Sequence, residues 1–312
     1  MAKLLVLSEH DVHELLTLPE CIVVMEDALA SLARGEVHNP LRQAIRPPGA
    51  AGLLGLMPAY RGGDRPFYGL KEVCVFPGNP ARGLDSHLGA VLLHDGETGE
   101  LLAAMNASAI TAIRTAAVSA VATKLLARED AAVLAILGTG VQGQMHAAAI
   151  PLVRPIQETR MFSRSGGTAA SAEGCVRGAD IVVTATNSKE PVLLREWLSP
   201  GVHINAVGSS IAAARELDGA TVAAASFFVD RRESTVNESG DYLFALREGA
   251  IGGPEHIRAE LGELLTGRAE GRRSEDEITL FKSLGLAIED LASASFLYDK
   301  AVRQGRGTVV DW

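Results

Sequence analysis

The residues best placed to do chemistry begin with Gly138-Thr139-Gly140-Val141-Gln142-Gly143. This run follows the apolar stretch AAVLAIL and opens an apolar, Ala-containing stretch, so it stands where a strand turns into a helix. There the first glycine permits a tight turn, the second lets backbone approach a pyrophosphate, and the third allows close helix–strand packing. The helix N-terminus adds unpaired N–H groups and a positive dipole end. A glycine-rich turn in an ordinary α/β domain is the alternative, and the strand-then-helix context favours a dinucleotide. The next strand, ETRMF, ends in Ser163-Arg164-Ser165 with no acidic residue for the ribose hydroxyls. A guanidinium with two hydroxyls suits a 2′-phosphate, which predicts NADP ahead of NAD. The alternative is that Arg164 stacks on adenine or faces solvent. Later strand ends, Thr184-Ala185-Thr186 and Val207-Gly208-Ser209, are predicted to line the cleft, because ligands bind at the carboxyl ends of open parallel sheets.

Three cations stand out in the rest of an acidic chain: Arg42 in PLRQAI, Lys71 in YGLKEVCVF and Arg114 in ITAIRTAAVSA. Lys71 interrupts an apolar strand, where an ammonium is costly without a partner or a role. Arg114 lies near the start of an Ala-rich helix, where the dipole disfavours a cation, so it calls for an anionic partner. A bidentate arginine suits a substrate carboxylate. A plain salt bridge or a snorkelling surface residue is the alternative for each. The eight histidines are scattered. His10 and His13 share a helix face without a third ligand, and no metal is predicted. There is no GxSxG elbow and no Cys–His pair to nominate. Asp180, Asp230 and Asp290 border apolar runs and read as caps.

The elements that must carry these groups are legible in outline. The chain has 312 residues, which suggests two domains, and 47% hydrophobic residues, enough for a core. Net charge is −9, so there is no global positive field for nucleic acid or an anionic membrane. No apolar run approaches the roughly 20 residues that span a bilayer, and the start is too short for a secretory signal. Cys21, Cys74 and Cys175 read as buried, reduced thiols of a cytoplasmic protein. Ser8 and Pro19 open two helices, the second ending at Gly35. Short β-like runs follow, with a hairpin at DGETGE, so the front of the chain reads as α+β. ITAIRTAAVSAVATKLLARE reads as a long helix. From Asp130 the strands AAVLAILG, ETRMFS, DIVVTAT, HINAVG and SFFVD alternate with helices, predicting a doubly wound parallel sheet. TLFKSLGLAIEDLASASFLYDKAVRQG reads as one long helix, weakened at Gly285. Only sixteen residues, RSGGTAASAEGCVRGA, separate ETRMFS from DIVVTAT. That leaves little room for an intact crossover and a further strand, and reads as a deletion.

In LGLMPAY (54–60), GLKEV (69–73), DGETGELLAAMNASAITAIRTAAVSAVATKLLA (95–127), LGTGVQGQMH (137–146), GADIVVTATNSKEPVL (178–193), GVHINAVGSSIAAARELD (201–218) and TLFKSLGLAIEDL (279–291), the chain resembles the ornithine cyclodeaminase/μ-crystallin family. The resemblance implies an α/β architecture: residues 1–118 with 292–312 as an α+β substrate and dimerisation domain, and 119–291 as a Rossmann domain. It implies a homodimer, NAD(H) or NADP(H), and substrates that are α-amino acids or their imines. By position, Arg42 and Arg114 would hold a substrate carboxylate, and Lys71 would lie beside the reacting carbon and handle water or proton transfer. Ornithine cyclodeaminases place Asp after the HINAVG-type strand; this chain has Ser210 there, as μ-crystallin-like ketimine reductases do. A hydroxyl neither pairs with a distal ammonium as Asp does nor acts as a base at neutral pH. The expectation is therefore an imine reductase working beside the nicotinamide, with ornithine or lysine cyclodeamination, or non-catalytic NADPH or small-ligand binding, as alternatives.

Overall fold

The computed structural model describes residues 3–312, with only the backbone described at Pro80. It divides into two compact units, residues 1–114 with 286–312 and residues 115–285. The boundaries fall a few residues ahead of 118/119 and 291/292. Arg114 shares ion pairs with Glu289 and Asp290, which keeps both sides of that network in the first unit.

The first unit opens with β1 (Lys3–Leu7), α1 (Glu9–Leu15) and α2 (Leu18–Arg34). Ser8 and Asp11 form a reciprocal capping box on α1. Pro19 occupies the first turn of α2, and Gly35 ends it at φ +81°, a conformation only glycine adopts cheaply. Cys21, Ile22, Met25, Ala28 and Leu29 form a buried stripe at helical spacing. The sheet continues through β2 (Val37–His38), β3 (Gln43–Ile45), β4 (Leu53–Arg61), β5 (Phe67–Val75), β6 (His87–Asp95) and β7 (Leu101–Asn106). The β6–β7 hairpin turns where predicted, with the Asp95 carboxylate accepting from the backbone N–H groups of Glu97 and Thr98. Then comes α3 (Ala107–Leu126), which crosses the unit boundary.

The second unit holds β8 (Val133–Leu137), α4 (Val141–Ala149), β9 (Glu158–Ser163), β10 (Gly166–Gly167), α5 (Ala172–Val176), β11 (Ile181–Thr184), β12 (His203–Ala206), α6 (Gly219–Ala224), β13 (Ser226–Val229), α7 (Arg232–Glu238), α8 (Gly240–Arg247), β14 (Ile257–Glu260), α9 (Leu261–Leu265) and β15 (Thr279–Lys282). The chain returns to the first unit through α10 (Ala287–Gln304) and β16 (Thr308–Asp311).

The first sheet runs β16-β1-β7-β6-β5-β4-β2, with β3 also on β4; only β1–β7 is parallel. Neither β1 nor β16 was expected; β16 pairs with β1 at the sheet edge. The second sheet runs β10-β9-β8-β11-β12-β15-β13-β14 and is parallel apart from β10. Its central strands β8, β11 and β12 are buried on both faces: Leu134, Ile136, Ile181 and Val183 join one core cluster, while Ala135, Leu137, Val182 and Ile204 join another. This explains their continuous apolar runs. The architecture is α/β, a Rossmann unit plus an α+β unit.

Two expectations need correction, while the segment after Ser163 is as abbreviated as it reads. TLFK is not the start of a long helix; it is β15, seated between β12 and β13, and α10 begins only at Ala287. Its apolar spacing suits either period, but the slot in the sheet decides, and Gly285 at φ +77° breaks the chain before α10. The 20-residue α3 is long and apolar enough to cross a bilayer, contrary to the reading of the apolar runs, which Arg114 and Lys124 interrupt; 83% of its most apolar window is buried within the protein. The segment after Ser163 holds no parallel third strand: β9 turns at once into the two-residue antiparallel β10, and α5 has only five residues.

Candidate active site

Strand register places Lys71 in a row with Met57, Val91 and Met105 on the buried face of the first sheet. The next row on that face is Ala59, Gly69, Leu93 and Ala103. Gly69 has a steric reason to be glycine: a Cβ there would lie 2.9 Å from Leu291 Cδ1. The missing side chain lets α10 settle on β5, which brings Asp290, the residue before Leu291, to Lys71. On the other side of Lys71, register aligns Ala44, Gly55, Val73 and Gly89, a row of small side chains beyond the lysine.

Lys71 Nζ lies 3.3 Å from Asp290 Oδ1. The same oxygen accepts from Arg114 Nε at 3.2 Å, while Arg114 Nη1 donates to Glu289 Oε2 at 2.7 Å. All four side chains are buried. Two cations and two anions balance, which is how such a cluster escapes the desolvation cost of a lone buried charge. Glu289 and Asp290 also sit in the first turn of α10, where the dipole favours acids. Asp290 Oδ2 has no hydrogen-bond partner among the described residues. Burial depresses the Lys71 ammonium to about 8; Asp290 opposes the fall and Arg114 adds to it. Burial, with Lys71 second, lowers the His87 imidazole, which register sets opposite Val75 near the end of the same face.

Lys71 and Arg114 are therefore brought together, through an aspartate read from the sequence as a cap. Arg42, half-buried, directly precedes β3, whose Gln43 pairs with Leu56 beside Met57, the cross-strand partner of Lys71. Glu289 and Asp290 are the residues that sequence reasoning missed; two adjacent acids inside an apolar helix run were the available signal. Asp180 and Asp230 do serve backbone, Asp180 accepting from Ala132 and Val133 N–H and Asp230 from Leu284 and Gly285 N–H. His10 and His13 pair with Glu14 and Glu9 on α1.

In the second unit, Gly138 turns at φ +123°, and a Cβ there would stand 2.3 Å from Ala185 O. Gly143 packs so closely that a Cβ would meet Gly138 O at 2.1 Å. Gly140 caps α4, and a Cβ would meet nothing within 4 Å. This is a tight turn, a close-packed helix and an open backbone cradle where a pyrophosphate would lie, so the residues fit a dinucleotide. Ser163 Oγ lies 2.8 Å from Thr139 Oγ1 and 3.0 Å from Ser165 Oγ, and donates to Gly166 O at 2.7 Å. It ties the glycine loop to the β9–β10 turn, leaving Arg164 exposed at the tip. Thr184, Ala185 and Thr186 leave the end of β11, and Val207, Gly208 and Ser209 the end of β12, followed by the half-buried Ser210.

A parallel sheet with this glycine turn at its first strand end defines a dinucleotide-binding protein. More narrowly, the chain belongs to the ornithine cyclodeaminase/mu-crystallin family, whose sequence model matches residues 2–305. It is 39% identical to the ketimine reductase mu-crystallin of Mus musculus over 88% of this chain and 90% of that protein. The Δ1-pyrroline-2-carboxylate reductase of Thermococcus litoralis, solved with NADH and L-proline, superposes with a TM-score of 0.92 at 38% identity, covering 97% of this chain and 99% of the other. An archaeal alanine dehydrogenase dimer with bound NAD also superposes at 0.92, with 33% identity and 99% of both chains covered.

Proposed function

We propose that this protein reduces a cyclic ketimine carboxylate, of the pyrroline- or piperideine-2-carboxylate type, to the corresponding cyclic amino acid. The nicotinamide supplies the hydride. The carrying observation is the buried Lys71–Asp290–Arg114–Glu289 cluster. Arg114, oriented by Asp290 and Glu289, offers its guanidinium to the substrate carboxylate together with Arg42. Fixing that carboxylate removes orientation entropy from the barrier. Lys71, poised near neutrality, gives a proton to the imine nitrogen as hydride reaches the α-carbon, and is reprotonated from solvent. The neutral Ser210 supports reduction over cyclodeamination, which has a distal ammonium to hold.

The exposed Arg164 and Ser165, in a turn with no acidic residue, support NADP(H) over NAD(H). The outer face of the first sheet supports a homodimer. It presents Leu54, Leu56, Tyr60, Tyr68, Leu70 and Leu92, and holds a depression of about 540 Å³ lined by His38, Tyr60, Tyr68 and His94 among others. Cys21 and Cys175 are buried, whereas Cys74, on the outer face of the first sheet, is exposed, contrary to expectation; all three are free thiols, which fits a reducing compartment, the cytoplasm.

The test follows oxidation of reduced nicotinamide with Δ1-pyrroline-2-carboxylate, Δ1-piperideine-2-carboxylate, or pyruvate plus ammonia or methylamine. Turnover with a cyclic imine is expected, and Lys71→Met is expected to cut kcat by about a hundredfold or more while dinucleotide binding survives. Ammonia release from ornithine without net cofactor change would establish the cyclodeaminase instead. Tight NADPH binding with no turnover of any of these would leave a binding protein.

A further inference from the structure

Within the second unit, a further buried acid sits behind the segments that leave β11 and β12. Glu216 is fully buried. Its Oε1 accepts from Thr186 N at 2.6 Å and Thr186 Oγ1 at 2.7 Å. Its Oε2 accepts from Thr184 Oγ1 at 2.8 Å, Gly208 N at 2.7 Å and Ser209 N at 3.3 Å. One carboxylate thus takes five donors from the two segments that leave β11 and β12. Each oxygen serves mainly one of them, so the carboxylate bridges the pair.

The surroundings are built around this bridge. Gly208 has no room for a side chain: a Cβ would stand 2.1 Å from Thr186 O and 2.5 Å from Glu216 Oε1. Asp241 Oδ1 accepts from the backbone N–H of Glu216 and Leu217, fixing the segment that carries the acid. Lys282 Nζ stands 2.9 Å from Asp241 Oδ2, also fully buried. Burial, with Asp241 adding to it, holds the Glu216 carboxyl above its ordinary value against the opposing pull of Lys282 and the Thr186 hydrogen bonds. A group accepting from three backbone N–H groups is best served as the anion. Backbone N–H groups at strand ends must be satisfied by something. Here they are satisfied from behind, which fixes the surface these segments present at the ligand-binding end of the sheet.

We infer that Glu216 is the positioning residue of the dinucleotide site, holding Thr184–Thr186 and Gly208–Ser209 in the one arrangement that accepts the cofactor. It touches no ligand itself. This rests on the reading that the chain binds a nicotinamide dinucleotide.

The test is Glu216→Gln, which keeps the shape but turns an amide NH2 toward donors on one of the two segments. NADPH and NADH affinities are measured by fluorescence, with steady-state kinetics on the cyclic imine and circular dichroism as the folding control. The expected result is a Kd and KM for dinucleotide raised tenfold or more, with kcat at saturating dinucleotide within threefold of wild type. A merely structural lesion would lower kcat or the folded fraction without that split. Thr186→Val, which removes one of the five donors, covers the case in which the glutamine variant does not fold; a threefold to tenfold rise in the same constants is expected. Wild-type protein that binds no dinucleotide refutes the reductase reading itself. Wild type that binds, with a folded Glu216→Gln (or, failing that, Thr186→Val) variant binding within twofold of it, overturns the positioning role.

Discussion

Asp290→Asn removes one charge from the cluster and keeps its shape, so it isolates what the aspartate does for Lys71. At 3.3 Å, two unit charges attract by roughly 5 kcal/mol at an effective dielectric of about 20. At about 1.4 kcal/mol per pKa unit that sets a ceiling of roughly 3–4 units. Opposite charges at such distances shift neighbours by about 1–3 units in practice. Lys71 already stands at about 8 because burial outweighs the aspartate. With Asp290 neutral, burial and Arg114 act with only Glu289 opposing, and Lys71 falls to about 7 or below. The proposed reaction uses the ammonium form. In wild type, kcat/KM for the cyclic imine is therefore expected to fall as pH rises through about 8. In the variant the falling limb moves one to three units toward acid, while the low-pH plateau stays within a few fold. The assay is the pH profile of kcat/KM at saturating cofactor, wild type and variant in parallel so that titration of the substrate cancels. Glu289→Gln, which removes the acid paired with Arg114 Nη1 and a weaker counter-charge to Lys71 than Asp290, is expected to move the limb less. A folded Asp290→Asn enzyme whose limb stays put, or moves to higher pH, would refute the assignment of Lys71 as proton donor or of Asp290 as its counter-charge.

Lys71 also leaves a mark on stability. Its folded value of about 8 lies below its ordinary 10.5, so between these the unfolded chain binds the extra proton. This group's contribution to stability then rises as pH climbs from about 8 to about 10.5, a component that urea titrations are expected to detect in wild type and to miss in Lys71→Met. Arg164→Ala is expected to raise the KM for NADPH about tenfold, the worth of one charge-assisted contact, and to leave NADH within twofold; equal effects on both would remove the 2′-phosphate reading. Tyr68, 51% exposed on the outer sheet face and 4.7 Å from the Tyr60 ring, is the place to test assembly. Light scattering is expected to find a dimer that Tyr68→Asp converts to monomer, and a monomeric wild type would end that proposal.

The dinucleotide loop was legible because its chemistry is local. Gly138, Gly140 and Gly143 fall within six residues, and each meets its constraint inside one strand–turn–helix. The caps at Ser8, Pro19 and Gly35 were legible for the same reason. The acid cluster was not, because its parts are 219 residues apart for Lys71 and Asp290 and 175 for Arg114 and Glu289. Nothing in LAIEDLAS distinguishes two acids beginning a buried helix from two acids capping an exposed one. The sequence did show that Arg114 called for an anion and Lys71 for a partner or a role; it could not show that one aspartate serves both. β15 was hidden differently: TLFK satisfies helical and strand periods alike, and only the slot between β12 and β13 decides.

Both buried ionic groups set a question that folding does not answer. Apolar side chains of similar volume often replace a buried ion cluster at no cost in stability, sometimes with a gain, whereas removing one member alone leaves a costly uncompensated charge. A core built only for stability has no need of Lys71, Arg114, Glu289 and Asp290 in one place, nor of Glu216, Asp241 and Lys282 in another. Their positions differ in a telling way. The first cluster holds a lysine near neutrality beside a row of small residues, where the proposed reduction needs a proton. The second is sealed, and spends its hydrogen bonds on the backbone of two strand-end segments. Replacing the whole first cluster with apolar residues is therefore expected to preserve the fold and dinucleotide binding and abolish turnover. Neutralising Glu216 is expected to do the reverse, sparing kcat at saturation and weakening the grip on the cofactor.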